Sequence, residues 1–77
     1  MVKVLFFAHL KDEAGQEEIS IEGNGFTVAQ VKDKIAADLG IATLDSVMTA
    51  VNEEFANDET IVSEGDTVAF IPPVSGG

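Results

Sequence analysis

The sequence contains no cysteine, tryptophan or tyrosine. No disulfide can staple the chain, and no thiolate is present to hold a metal or an iron–sulfur cluster. Its four basic side chains are all lysines, so it has no arginine to grip a carboxylate or phosphate with two parallel hydrogen bonds. A single histidine, His9, has no second histidine or cysteine to complete a metal site, and the acidic residues show no calcium-loop spacing. There are only two prolines, and they are adjacent near the end. No apolar run approaches the roughly 20 residues of a membrane span. The apolar start, residues 2–8, lacks the basic leader and small-residue cleavage site of a signal peptide. Together with the missing cysteine, this fits a reducing cytoplasm.

What is present is acid. Fourteen Asp and Glu face four Lys, giving a formal net charge of −10 over 77 residues. Such a surface repels phosphate backbones, which argues against nucleic-acid binding. It keeps a small domain soluble, and it also accelerates encounter with a basic protein. The composition fits either reading. The hydrophobic fraction is 45%, enough for one core. A single domain of this length buries only about 60% of the surface its unfolded chain exposes.

Residues 2–8 read as a strand, with Val2, Val4 and Phe6 on one face and Leu5 and Phe7 on the other. A strand apolar on both faces is either central and covered twice, or shows one face to a partner. Residues 9–16 read as a loop ending at Gly15. Residues 17–22 alternate loosely around Ile19 and Ile21, as in an edge strand hairpinned to the first. Thr27 followed by Gln30 has capping-box spacing, and Val28, Val31, Ile35 and Leu39 line one face of the helix that follows, with Gly40 as its left-handed stop. Residues 47–51 read as a strand, 52–54 as a turn, 60–62 as a short strand, 64–66 as a tight turn and 67–71 as the last strand. The order predicts an α+β fold of β-grasp type: a mixed sheet of four to five strands, the first and last side by side in the middle, and one main helix on one face. Residues 1–71 form the domain. Residues 72–77, Pro72-Pro73-Val74-Ser75-Gly76-Gly77, form a flexible tail, because two prolines cannot donate to a strand ladder and favour an extended exit.

A terminal Gly-Gly has no Cβ, so it can thread a channel too narrow for other residues and lets an enzyme approach its last carboxylate closely. A carboxylate is a poor electrophile at neutral pH. Conversion to an acyl-adenylate supplies a leaving group, and sulfide delivery then gives a nucleophilic thiocarboxylate. Gly77 would carry the sulfur and Gly76 would give clearance. Ser75 is not read as a nucleophile, since nothing nearby activates it.

Val4-Leu5-Phe6-Phe7-Ala8, Ala50-Val51-Asn52, Glu64-Gly65-Asp66 and the closing run from Val68 to Gly77 resemble the MoaD family of small, sulfur-carrier subunits of molybdopterin synthase. The likeness covers essentially the whole chain, and the closing decapeptide is its most specific part. It implies that an ATP-dependent enzyme adenylates Gly77, that a sulfur-transfer system converts it to the thiocarboxylate, and that the loaded tail enters the large synthase subunit. There the sulfur would add to a cyclic pyranopterin monophosphate, two loaded copies serving each dithiolene. The resemblance further implies a heterotetramer of two small and two large chains. The acid–base residues would sit on the large subunit, and this chain would hold no cofactor or metal.

Phe7, Phe55 and Ile71 resemble the family's apolar docking patch, with core packing as the competing reading. Pro72, Pro73, Val74 and Ser75 would contact the partner as the tail inserts. Lys11 stands where the family often has a basic contact residue, frequently arginine, and is otherwise a solvated lysine. A ubiquitin-like modifier that forms isopeptide bonds, or a thiamine-pathway sulfur carrier, would share the fold and the Gly-Gly end.

Overall fold

The computed structural model describes residues 1–41, 44 and 47–72. Five strands and two helices follow in the order β1 (Val2–Phe6), α1 (His9–Ala14), β2 (Glu18–Ile21), α2 (Val28–Leu39), β3 (Met48–Val51), β4 (Glu54–Ala56) and β5 (Thr67–Ile71). They form one mixed sheet in the order β2-β1-β5-β3-β4. β1 and β5 are parallel, and the remaining pairings are antiparallel. The first and last strands therefore lie side by side, with β5 at the centre, as their apolar character predicts.

Local chemistry fixes α2. Thr27 Oγ1 accepts from the Gln30 N–H at 3.2 Å, while Gln30 Oε1 accepts from the Thr27 N–H at 2.9 Å, closing the predicted capping box. The next two unsatisfied donors of the first turn find backbone partners. The Val28 N–H donates to the Thr60 carbonyl (2.9 Å) and the Ala29 N–H to that of Asp58 (3.0 Å). Lys32 holds the same loop from its side chain, 2.8 Å from Asp58 Oδ1. Gly40, at φ +69°, ends the helix.

The core lies between α2 and one face of the sheet. Val28, Val31 and Ile35 of the helix meet Val2, Val4, Phe6, Val68 and Phe70 of the two central strands. Phe70 is 0% exposed, and its ring lies 6.3 Å from that of Phe6. Truncating a buried Phe to Ala typically costs about 3–5 kcal/mol, a large share of a small domain's stability. Thr49, opposite Phe70 in the register, is also buried, and its hydroxyl has no hydrogen-bond partner.

Three segments differ from the sequence reading. Residues 9–16 are not a loop throughout: they contain α1, which buries Leu10 and ends at Gly15 in the left-handed conformation, φ +75°. Six residues with a single buried position offer too little periodicity to read as a helix. The short strand expected at 60–62 is only an isolated bridge between Ile61 and Thr27, because that backbone is engaged with the start of α2. The additional strand is instead β4, directly after the β3 turn. Asn52 and Glu53 both have positive φ (52° and 70°) and close a two-residue hairpin, a type I′ geometry.

A polar clamp joins this hairpin to β5. Asn52 Nδ2 donates to Asp66 Oδ1 at 3.0 Å, and Asn52 Oδ1 accepts from the Thr67 N–H at 3.0 Å. Asp66 Oδ2 in turn accepts from the Ser63 N–H at 2.8 Å. These bonds, the one from Asn52 foremost, hold the Asp66 carboxyl below its ordinary value.

Two outcomes are expected. Glu53→Gly places at φ +70° the residue that tolerates it. It should stabilise the fold by about 0.5–1 kcal/mol, raising the midpoint of thermal unfolding by roughly 2–8 °C. The lowered pKa of Asp66 means that its contribution is complete above the ordinary carboxylate value and lost as pH falls through the folded-state value. Thermal melts of wild type and Asp66→Ala across a pH series should therefore differ by a constant gap near neutrality that narrows in acid.

Candidate functional site

Alternation along each strand sends one set of side chains to α2 and the other to the opposite face of the sheet. No described helix packs over that second face. The register places Glu18, Leu5, Ala69, Ala50 and Phe55 in one row across β2, β1, β5, β3 and β4. The neighbouring row holds Ile71 beside Met48. Phe7 follows Phe6, which pairs with Phe70, so Phe7 stands level with Ile71 on its other side. The two alanines make a low floor between Leu5 and Phe55, and Phe7, Ile71 and Met48 form the adjoining ridge.

Exposure separates this face from the core. Phe55 is 77% exposed, Phe7 45% and Met48 43%, while Leu5, Ala69 and Ile71 are half-buried. The structure thus brings Phe7, Ile71 and Phe55 to one side of the sheet as the sequence suggested. It adds Leu5, Ala69 and Met48 to them. Met48 was missed because its neighbour Ile71 is 23 positions away in the chain, and only the β3–β5 register joins them.

Lys11 lies at the β2 side of this face. With Phe7, Leu5, Ala8, Glu17 and Glu18 it lines a shallow groove of about 380 Å³. Its ammonium sits 3.0 Å from Glu17 Oε1. That hydrogen bond, reinforced by the charge of Glu17, raises the Lys11 pKa above its usual value, so the side chain stays cationic at neutral pH. Ala8, which turns β1 into α1, has φ +53°, a strained setting for a residue with a Cβ.

All four lysines stand within 4 Å of a carboxylate: Lys3 with Glu18, Lys11 with Glu17, Lys32 with Asp58 and Lys34 with Asp38. Apart from Lys32, whose side chain is largely buried, these lysines are in exposed pairs, which add little stability. Their consequence is electrostatic, for each local positive charge is already offset and the net field stays negative. Glu53 and Glu54 stand exposed at the hairpin beside Phe55.

The chain leaves the sheet from its centre. Ile71 is the last residue of β5, and Pro72 beyond it is buried. Pro73, Val74, Ser75, Gly76 and Gly77, assigned to the inserting tail, lie outside the described residues. The described point of departure has Phe7 and Met48 on either side of Ile71. Among the described residues, no group of three or more His, Asp or Glu is placed to hold a metal ion, and no helix is long and apolar enough to cross a membrane.

Comparisons with known proteins bear on the whole chain. The profile of the ThiS family matches residues 4–77, the terminal Gly-Gly included. The chain is 33% identical over 81 positions to the molybdopterin synthase sulfur carrier subunit of Escherichia coli (strain K12), with 100% of both chains covered. Among solved structures, it superposes with a TM-score of 0.71 on a chain of the complex of subunits 1 and 2 of molybdopterin-converting factor from Helicobacter pylori 26695. That match has 26% identity and covers 99% of this chain and 97% of the other. SAMP1 from Haloferax volcanii gives a TM-score of 0.77 at 25% identity, covering 99% and 98%. An uncovered apolar sheet face, a central strand leading to Gly-Gly and a full-length family match coincide in one molecule: the chain belongs to the ThiS family of β-grasp proteins.

Proposed function

We propose that this chain is the sulfur-carrier subunit of a molybdopterin synthase, and that Gly77 carries the sulfur. The observation that supports this most is topological. The strand that ends in the tail is the central one, and it delivers the chain at the middle of an apolar face left open to a partner. A protein docked there lies directly beside the segment it has to receive.

The chemistry follows from the terminal carboxylate. One of its oxygens attacks the α-phosphorus of ATP in an adenylating enzyme, expelling pyrophosphate and leaving an acyl-adenylate. Sulfur at the sulfide level then attacks the acyl carbon, AMP departs, and a thiocarboxylate remains. In the large subunit this sulfur bonds to a carbon of the cyclic pyranopterin precursor as an oxygen substituent leaves that carbon, and water cleaves the acyl–sulfur bond to restore the carboxylate. Two loaded chains serve each dithiolene, which fits an assembly of two small and two large subunits. The chain itself holds no cofactor. It acts as a co-substrate, with proton transfers assigned to the large subunit. The reducing cytoplasm is the compartment in which this sulfur chemistry and a cysteine-free carrier fit together.

Phe7, Ile71 and Phe55 dock by burying apolar area, and Pro72 to Ser75 lead the tail inward. Lys11 contributes a cation at the edge of the contact. The acidic excess steers the chain to a partner with a basic approach surface, at a rate that falls with salt.

The absence of cysteine makes a direct assay possible, because the thiocarboxylate is then the only sulfur acid in the chain. Protein taken from cells making molybdenum enzymes should accept one iodoacetamide-derived group on its C-terminal peptide, and a chain lacking Gly77 should accept none. Isopeptide adducts on lysines of other proteins, with no alkylated terminus, would instead establish a modifier. A second expectation concerns the face. Phe55→Ser should leave the unfolding midpoint nearly unchanged, since the ring is mostly in solvent. It should weaken binding to the large subunit, measured calorimetrically, by about 2 kcal/mol, roughly thirtyfold.

A further inference from the structure

The oxidisable side chains of this protein are few. It has no cysteine, tryptophan or tyrosine, and only two methionines. Both are exposed, but they occupy different places. Met1 is 52% exposed at the start of β1, where its amino group pairs with Glu64. Met48 is 43% exposed in the open face, paired in register with Ile71 at the point where the chain leaves the sheet. The surroundings of Met48 on that face are apolar: Ile71 beside it, and the Ala50–Ala69 floor in the next row.

We propose that Met48 is a reversible oxidation site that sets the affinity of this face for its protein partner, an inference that rests on the docking role assigned above. In the reaction, the thioether sulfur takes one oxygen from hydrogen peroxide. The O–O bond breaks, an S=O bond forms, the sulfur is oxidised by two electrons and water leaves. A thiol-dependent sulfoxide reductase reverses the change.

The effect differs between the free and the docked chain. In the free chain the sulfoxide projects into solvent, where water satisfies its oxygen. Met48 is not among the core residues packed under α2, so folding is little affected. In the docked chain the same oxygen would be enclosed among apolar side chains without a donor, and burying an unpartnered polar group is unfavourable. Oxidation therefore acts on binding and leaves the fold in place. Lacking a thiol of its own, the unloaded chain meets peroxide chiefly through these two sulfurs, and only one of them lies on the working face.

The test uses the full-length carrier and the large synthase subunit. The carrier alone is treated with hydrogen peroxide, the peroxide is removed with catalase, and oxidation at Met1 and Met48 is quantified by peptide mass spectrometry. Binding to the untreated large subunit is then measured. Wild-type carrier oxidised at Met48 should bind at least tenfold more weakly, with an unchanged unfolding midpoint, and reductase treatment should restore its affinity. Met48→Leu, whatever its own affinity, should not respond to peroxide although Met1 is still oxidised. Undiminished binding of carrier fully oxidised at Met48, or an equal peroxide response in Met48→Leu, overturns the proposal. Phe55→Ser separates the two levels. If that variant also binds normally, the docking role itself has failed. If it binds weakly while the sulfoxide binds normally, only the oxidation role falls.

Discussion

One helix has to serve a sheet with two faces. The 12 residues of α2 run about 18 Å at 1.5 Å per residue, and five strands at about 4.8 Å spacing span about 19 Å. The helix is long enough to cover one side of the sheet, and the remaining described chain forms connections and the short α1. The covered side takes Val4, Phe6, Val68 and Phe70 into the core. The other side keeps Phe7, Met48 and Phe55 in solvent, although they lie on or beside strands of the same sheet. Apolar residues on both parities of β1 and β5 are thus met by α2 on one side and by no described helix on the other. Among the described residues, no second long helix is left to cover the other side.

Charge works with this geometry. An uncovered apolar face on a small domain is also a surface for unwanted self-association, and net charge well away from zero opposes that. With each lysine beside a carboxylate, little of the surface can offer a free cation to a second copy. The same field attracts a basic partner. Solubility and the proposed steering would then be two effects of one distribution.

The parts legible in the sequence are those set by local chemistry. Thr27, Gln30 and Gly40 announce the ends of α2 because capping depends on residues within one turn. β1 and β5 are readable because their apolar runs, Val4 to Ala8 and Val68 to Ile71, leave little alternative to a central strand. What was hidden depends on contacts distant in sequence. β4 is three residues long and follows an Asn-Glu turn rather than the more recognisable Asn-Gly. Ile61 and Val62 look like a strand from composition, but their backbone meets residues 25–27 in front of α2. The patch was partly readable, since Phe7, Phe55 and Ile71 are large apolar residues in strands or next to them. Met48 and the alanine floor required the register. Thr49 shows the converse: a polar residue next to Met48 in sequence is enclosed opposite Phe70, and no sequence pattern gives its hydroxyl a partner.

The Asn52–Asp66 clamp links these levels. Asn52 lies in the hairpin that presents Phe55, and Asp66 immediately precedes the strand that leads to the tail. Their mutual bond, with that from the Thr67 N–H to Asn52, fixes the start of β5 against the end of β3. Because side chains alternate, a slip of one residue in β5 would turn Ala69 and Ile71 toward α2 and Val68 and Phe70 toward solvent. A register pinned at the entry of β5 therefore determines which residues form the patch and where, at the other end of the strand, the chain departs. Two short motifs that resemble a family in sequence, Ala50-Val51-Asn52 and Glu64-Gly65-Asp66, hold no sulfur, and of their residues Ala50 alone meets an exposed aromatic, Phe55, in the register. Their part is to align the strand on which both the apolar face and the exit of the chain depend.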